Sequence, residues 1–256
     1  SSDLDLDHDG IAWTIGLAIG FGKYPGQNGM AVFSTYPIDR TSIRTFQKLL
    51  WKDLPGALLP PTIEAVKADP KATGGWYNDD DLGQLRLSSK SHWDIPVSLP
   101  GLSLHLLTSH PTPPAFDGPE DRNGRRNHDE IRLWAEYLKS QPAEWLKDDV
   151  GKSTPFGSAA SFVILGDQNA DPVDGGSVPG AIQLLLNHPR INSSVVPVSP
   201  GGAETSALQE QMNLQHKGDA SHDTSDFNDL SVGNLRVDYV LPSKDLSIKS
   251  AFVFWP

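Results

Sequence analysis

Phe162-Val163-Ile164-Leu165-Gly166-Asp167-Gln168-Asn169-Ala170-Asp171-Pro172 is the stretch on which the fold turns. Four apolar residues run straight into Gly166, and a carboxylate and an amide follow two positions apart. An extended chain points residues i and i+2 the same way, so a buried strand here delivers Asp167 and Asn169 together to its C-terminal lip. An acceptor carboxylate and a donor amide then share one small site, as hydrolysis at phosphorus needs. The same stretch also reads as a plain strand closed by an Asp/Asn/Pro turn.

Working outward, two more segments carry polar residues to strand ends. Residues 102–108 form a partly alternating strand that runs into Ser109-His110, followed by Pro111, Pro113 and Pro114, which stiffen the loop. Residues 234–241 alternate, with Leu235, Val237, Tyr239 and Leu241 on one face and Arg236, Asp238 and Val240 on the other. Between the first two strands lies a charged loop containing Asp117, Glu120, Asp121, Arg122, Arg125 and Arg126. Asn127 reads as the N-cap of a helix, with Glu130 completing a capping-box pair and Ile131, Trp134, Ala135 and Leu138 as its buried stripe. Arg122, Arg125 and Arg126 just ahead of that helix make a candidate phosphate site, since dipole and guanidinium act together. Pairing with Asp117, Glu120 and Asp121 is the alternative.

The remaining elements are fainter. A short strand is expected over 30–34, ended by Pro37. The spacing of Ile43, Phe46 and Leu50 predicts a helix over 41–51, capped by Thr41 or Ser42. Residues 53–100 read as irregular, punctuated by Pro55, Pro60, Pro61 and Pro70, with Trp76 and Trp93 as loop anchors. Val178-Pro179 opens another helix. Residues 192–233 read as a long polar loop and 250–255 as a last strand. No internal repeat is visible. Strands dominate and helices fall between pairs, which favours an α+β sandwich over regular βαβ winding.

The totals set limits. With 256 residues the chain can bury a substantial core. It has no cysteine, so disulfides and thiolate metal sites are excluded. No apolar run approaches the roughly 20 residues of a membrane helix. A net charge of -11 argues against tight nonspecific nucleic-acid binding, which wants a basic face. It leaves transient cleavage of nucleic acid or a small phosphorylated substrate open. No obligate protein partner is evident. The chain starts at Ser1 without Met, and a processed or cut polypeptide is expected. Near that start, Asp5, Asp7, Asp9 and Gly10 fit the opening of a calcium loop, but Gly16 stands where an EF-hand places its closing Glu. A Ca²⁺ site and a solvated acidic loop are both open readings.

Ser109-His110, Gly166-Asp167-Gln168-Asn169 and Arg236-Val237-Asp238-Tyr239, in this order, resemble the endonuclease/exonuclease/phosphatase superfamily of DNase I-like proteins. Asn28 to Ile38 is similar to that family's "G-x-A-x-x-S-x-x-P-I" strand. The stretch from Ser109 to Arg132 looks like secreted bacterial members. The resemblance implies a four-layer α+β sandwich of two mostly antiparallel sheets with outer helices, forming one domain over 1–256. It implies phosphoester hydrolysis by direct attack of water with Mg²⁺ or Mn²⁺. Asp167 would orient the water and, with Asn169, help hold metal. Asn169 and His110 would contact the phosphoryl oxygens, and Asp238 would orient a second histidine. A secreted or periplasmic location follows from the same resemblance.

The departures are as informative. Residues 1–28 match neither the family's first-strand Asn or Asp nor its metal-binding Glu, and no Ser-Asp-His motif follows the 234–241 segment. The expectation is therefore an interior portion of a longer polypeptide, incomplete at both ends, with little or no hydrolysis by itself. A non-catalytic or truncated module that keeps the fold is the alternative function.

Overall fold

The computed structural model describes residues 5–8 and 27–255. Its centre is a five-stranded sheet built from β1 (Arg44–Thr45), β2 (His92–Leu99), β3 (Leu102–Ser109), β4 (Ser161–Asp167) and β7 (Asp238–Pro242), in the order β1-β2-β3-β4-β7. All neighbours are antiparallel except β3 and β4, which run parallel. A parallel pair needs a crossover, and the long helix α3 (Arg122–Tyr137) lies within it. Two short strands, β5 (Ser225–Asp226) and β6 (Asn234–Leu235), make a separate antiparallel ribbon. The fold is thus α+β, with two sheets and few helices.

The core lies between the sheet and α3. Leu107, Phe162 and Ile164 from the sheet, with Tyr239 and Leu241, join Ile131, Trp134, Ala135 and Leu138 of α3 in one buried cluster. The expected helical stripe is therefore the buried one. Trp134 packs at 6.4 Å, ring centre to ring centre, edge-on to Phe46, and at 5.7 Å from Tyr137.

Several expectations change. Residues 41–51 hold β1 and, at their end, the start of a 3-10 turn, Trp51–Asp53, instead of a helix. Their main-chain groups pair with distant segments, Phe46 N with His92 O and Leu87 N with Leu49 O, so tertiary contacts override the spacing. Residues 30–34 form no strand, and Phe33 is exposed. The first pairing after them is the Ile38 bridge to Val97. The region 53–100 contains two short helices, α1 (Ile63–Ala68) and α2 (Asp79–Leu82), and all of β2. The helix expected from Val178 is the short α4 (Gln183–Leu186). The polar stretch 192–233 contains α5 (Pro200–Gln209), capped by Ser199 with proline in its first turn. Residues 250–255 form no strand; Val253 N donates to Val198 O, and Trp255 Nε1 donates to Thr205 Oγ1. Finally, the 234–241 strand is broken. Thr224 Oγ1 accepts from both Val237 N and Asp238 N, which splits it into β6 and β7.

Candidate active site

One end of the sheet gathers polar side chains because of strand direction. Parallel β3 and β4 bring Ser109-His110 and Asp167 to the same edge, and antiparallel β7 starts there, with Asp167 opposite Asp238. His110 Nε2 lies 3.4 Å from Asp167 Oδ2. That is long for a hydrogen bond, so the two groups are adjacent without being locked together. Asn169 takes a left-handed φ of 50°, which asparagine tolerates. Its N–H donates to Asp167 Oδ1 at 2.7 Å, and its side-chain amide donates to Pro111 O at 3.0 Å. Asn169 thereby ties the Asp167 turn to the His110 loop. Asp238 is exposed and accepts from Ser225 Oγ at 2.9 Å.

The electrostatics follow from burial. Desolvation pushes Asp167 up to about 6; the Asn169 N–H opposes this and the neighbouring Asp238 charge adds to it. Desolvation, with the nearby Lys90 cation, pushes His110 down to about 4. At neutral pH the pair is a carboxylate beside a neutral imidazole.

Lys90 belongs to this group and has no sequence signature. Its Nζ donates to Pro111 O at 3.4 Å. Burial lowers its pKa, while Glu130 and Asp167 pull it back up. It sits among small polar residues, Ser88-Ser89-Lys90-Ser91, and its closeness to His110 arises from tertiary ties alone.

Those ties run through α3. Glu130, fully buried, accepts from Ser89 N (2.6 Å), Ser89 Oγ (2.9 Å) and Thr112 N (2.6 Å). Asn127 donates to Thr112 O (2.8 Å) and Gln168 O (2.9 Å). Trp134 Nε1 donates to Ser109 Oγ at 2.9 Å. Asn127 and Glu130 are therefore not caps. The helix starts six residues earlier, after Asp121 in a left-handed conformation with φ of 52°.

That earlier start corrects the arginine reading: Arg122, Arg125 and Arg126 lie inside α3, not ahead of it. Arg122 pairs with Glu120 and donates to Phe116 O. Arg125 donates to Ala72 O at 3.0 Å. Arg126 donates to Leu87 O and Arg86 O at 3.0 and 2.6 Å. The Arg125 and Arg126 guanidiniums pin the 72–87 region to the helix.

At the other end of the described chain, His8 stacks on Trp76 at 4.5 Å and Leu6 O accepts from Trp76 Nε1. Asp5 and Asp7 flank that anchor, and Asp7 Oδ1 is buried without a hydrogen-bond partner. Asp9 lies outside the described residues. Among the described residues no group of three or more His, Asp or Glu side chains is placed to hold a metal ion. A hard divalent ion takes about six oxygen ligands. Asp167 and Asp238 supply two carboxylates, and one oxygen of Asp167 already accepts from Asn169 N. The described residues therefore do not fit a complete Mg²⁺ or Mn²⁺ site.

Beside His110, Lys90 and Asn169 opens a pocket of about 280 Å³, with Pro113, Pro114, Phe227, Val232 and Leu235 among its walls. No helix among the described residues is long and apolar enough to cross a membrane.

The sequence matches the Endonuclease/Exonuclease/phosphatase family over residues 2–256, and the chain belongs to that family. The family's members are generally hydrolases of phosphoesters. No curated protein matches the sequence. Among known structures, an endonuclease/exonuclease/phosphatase from Beutenbergia cavernae DSM 12333 is similar at 14% identity, covering 82% of this chain and 39% of that one, with a TM-score of 0.41. A beta hairpin deletion mutant of Staphylococcus aureus beta toxin is similar at 10% identity (64% and 47%, TM-score 0.37). Sphingomyelinase C from Streptomyces griseocarneus is similar at 9% (63% and 44%, TM-score 0.34). A further beta toxin variant has been crystallised with bound magnesium ions. This chain spans less than half the length of each.

Proposed function

We propose that the chain acts on a phosphoester by direct attack of water at the His110–Asp167 edge of the sheet. The observation that carries this is the 3.4 Å approach of His110 Nε2 to Asp167 Oδ2 beside a pocket that also holds Lys90 and Asn169. Asp167, ionised at neutral pH, accepts the proton of the attacking water. A base with a pKa near 6 combines availability with proton affinity. Neutral His110 donates or accepts at a phosphoryl oxygen without carrying charge. The ammonium of Lys90 offsets the charge that builds on those oxygens. Asn169 holds the two loops in register and offers its second amide N–H to the phosphoryl group. Asp238 raises the basicity of Asp167 across the strand pair.

The test is hydrolysis of bis-p-nitrophenyl phosphate, p-nitrophenyl phosphate and single-stranded DNA by the intact chain, with and without added Mg²⁺, alongside Asp167→Asn and His110→Gln. Turnover that disappears in Asp167→Asn supports the reading. Turnover equal in wild type and Asp167→Asn removes it. The lack of a three-ligand carboxylate or histidine group among the described residues favours a second reading, a non-catalytic module that keeps the family fold. That reading predicts phosphate binding without turnover in every one of these assays.

A further inference from the structure

The pocket beside the proposed site has a chemistry that the hydrolytic groups do not explain. At one end it is polar, lined by Lys90, His110 and Asn169. Asn28, Asp171 and Ser177 add further polar groups, and much of the remaining wall is apolar: Pro114 from the loop after β3, Phe227 and Val232 from the loop between β5 and β6, and Leu235 from β6. At about 280 Å³ it lies close to the lower end of ligand sites and has room for a ring.

Resting on the phosphoester reading above, we propose that this pocket binds the organic group esterified to the phosphate, and that the group is an uncharged aromatic ring. The phosphoryl group then lies at the polar end, against Lys90 and His110, and the ring enters between Pro114 and Phe227. Phenylalanine beside a bound ring favours edge or offset stacking.

A cationic group such as choline suits the same walls poorly. Among the described residues the one carboxylate lining the pocket is Asp171, and its oxygens are committed to main-chain donors. Oδ1 accepts from Val173 N and Asp174 N at 2.7 Å each, and Oδ2 accepts from Arg236 N at 2.8 Å. Lys90 at the mouth repels a second cation. The apolar wall rewards removal of a ring from water, while no uncommitted carboxylate among the described lining residues offsets the hydration that a charged headgroup gives up.

Calorimetric titration of the intact chain with phenylphosphonate, methylphosphonate and phosphocholine, in buffer containing Mg²⁺, tests this. Phenylphosphonate is expected to bind on the order of tenfold more tightly than methylphosphonate. That ratio is expected to collapse toward one in Ala115→Trp, which fills the pocket, and in Phe227→Ala, which removes its ring wall. Matching melting curves establish that the variants are folded, and either one suffices. Equal affinity for the two phosphonates overturns the inference, as does tighter binding of phosphocholine than of phenylphosphonate. If neither phosphonate binds while Asp167-dependent turnover persists, the inference alone falls. If that turnover is also missing, the hydrolytic reading falls with it.

Discussion

Gly166 of β4 stands directly against the carbonyl oxygen of Ser109 at the end of β3. A Cβ on Gly166 would collide with that oxygen, and the backbone there has a φ of 140°, which side-chain-bearing residues rarely adopt. The close approach brings the last residues of two parallel strands together, and so sets where His110 and Asp167 sit. Gly166→Ala is expected to cost about 3 kcal/mol of stability, combining backbone strain with a main-chain clash. Urea denaturation measures it. A loss within error of zero would show that the two strand ends can part without consequence.

The pH dependence of turnover follows from the same edge. Asp167, raised to about 6, is protonated in acid and an effective base above that value. His110, lowered to about 4, is neutral throughout the working range. The kcat/KM profile is therefore expected to rise with pH through about 6 and then level, with no limb from His110 between pH 5 and 8. Asp167→Asn is expected to lower kcat by roughly 10²–10⁴, the usual contribution of a positioned general base. His110→Gln keeps a hydrogen-bonding group and is expected to lower the rate without moving the inflection. A profile flat across pH 5–8 would refute Asp167 as the base.

Glu130 holds the site from behind. Its carboxylate takes three donors, two from Ser89 and one from Thr112, and these residues flank Lys90 and His110. Glu130→Gln replaces an acceptor oxygen with an N–H₂ facing those donors and leaves a buried donor unmet. The expected cost is about 2–4 kcal/mol, in the range for breaking a buried charged hydrogen-bond set. Hydrogen exchange gives a sharper check. The Ser89 and Thr112 amides should lose protection in the variant, while those at the centre of β4 change little. Uniform loss across the sheet would assign Glu130 to global stability instead of to these loops.

How much of this was legible in the residues depends on where the determining contacts lie. β3 and β4 are apolar runs closed by polar residues, and the Ile131, Trp134, Ala135 and Leu138 stripe is local, so both are read correctly. The strand-end positions of His110, Asp167 and Asn169 follow from the same runs. β2 was hidden because Pro96 sits within it, and its pairing with β3 is a property of two chains together. The helix expected at 41–51 is absent because the spaced residues do not share one buried face: Ile43 is exposed, Phe46 packs on Trp134 and Tyr137, and Leu50 bridges to Arg86. The α3 arginines were misplaced because Asn127-x-x-Glu130 has the form of a capping box, while both side chains actually hold the loops around the site. Lys90 could not be found, since only Glu130 and Pro111, distant in sequence, bring it to His110.

The stretch 192–233, which reads as a long polar loop, contains one carboxyl that is buried. Asp223 is buried, and its pKa is raised to about 7 by burial first, then by the charges of Asp171, Asp174 and Asp219. Its folded pKa lies above the unfolded value of 3.8, so the fold favours the protonated form. The penalty for ionising it is absent well below pH 4, grows as pH rises from 3.8 to about 7, and is complete above that. Asp223→Asn mimics the protonated acid and is expected to stabilise the fold at pH 8 by about 1–2 kcal/mol, after discounting the full shift for solvent access. At pH 4 the variant and the wild type should melt together. Paired melting curves at the two pH values decide it: an equal gain at both would mean that the substitution acts through packing and not through the charge.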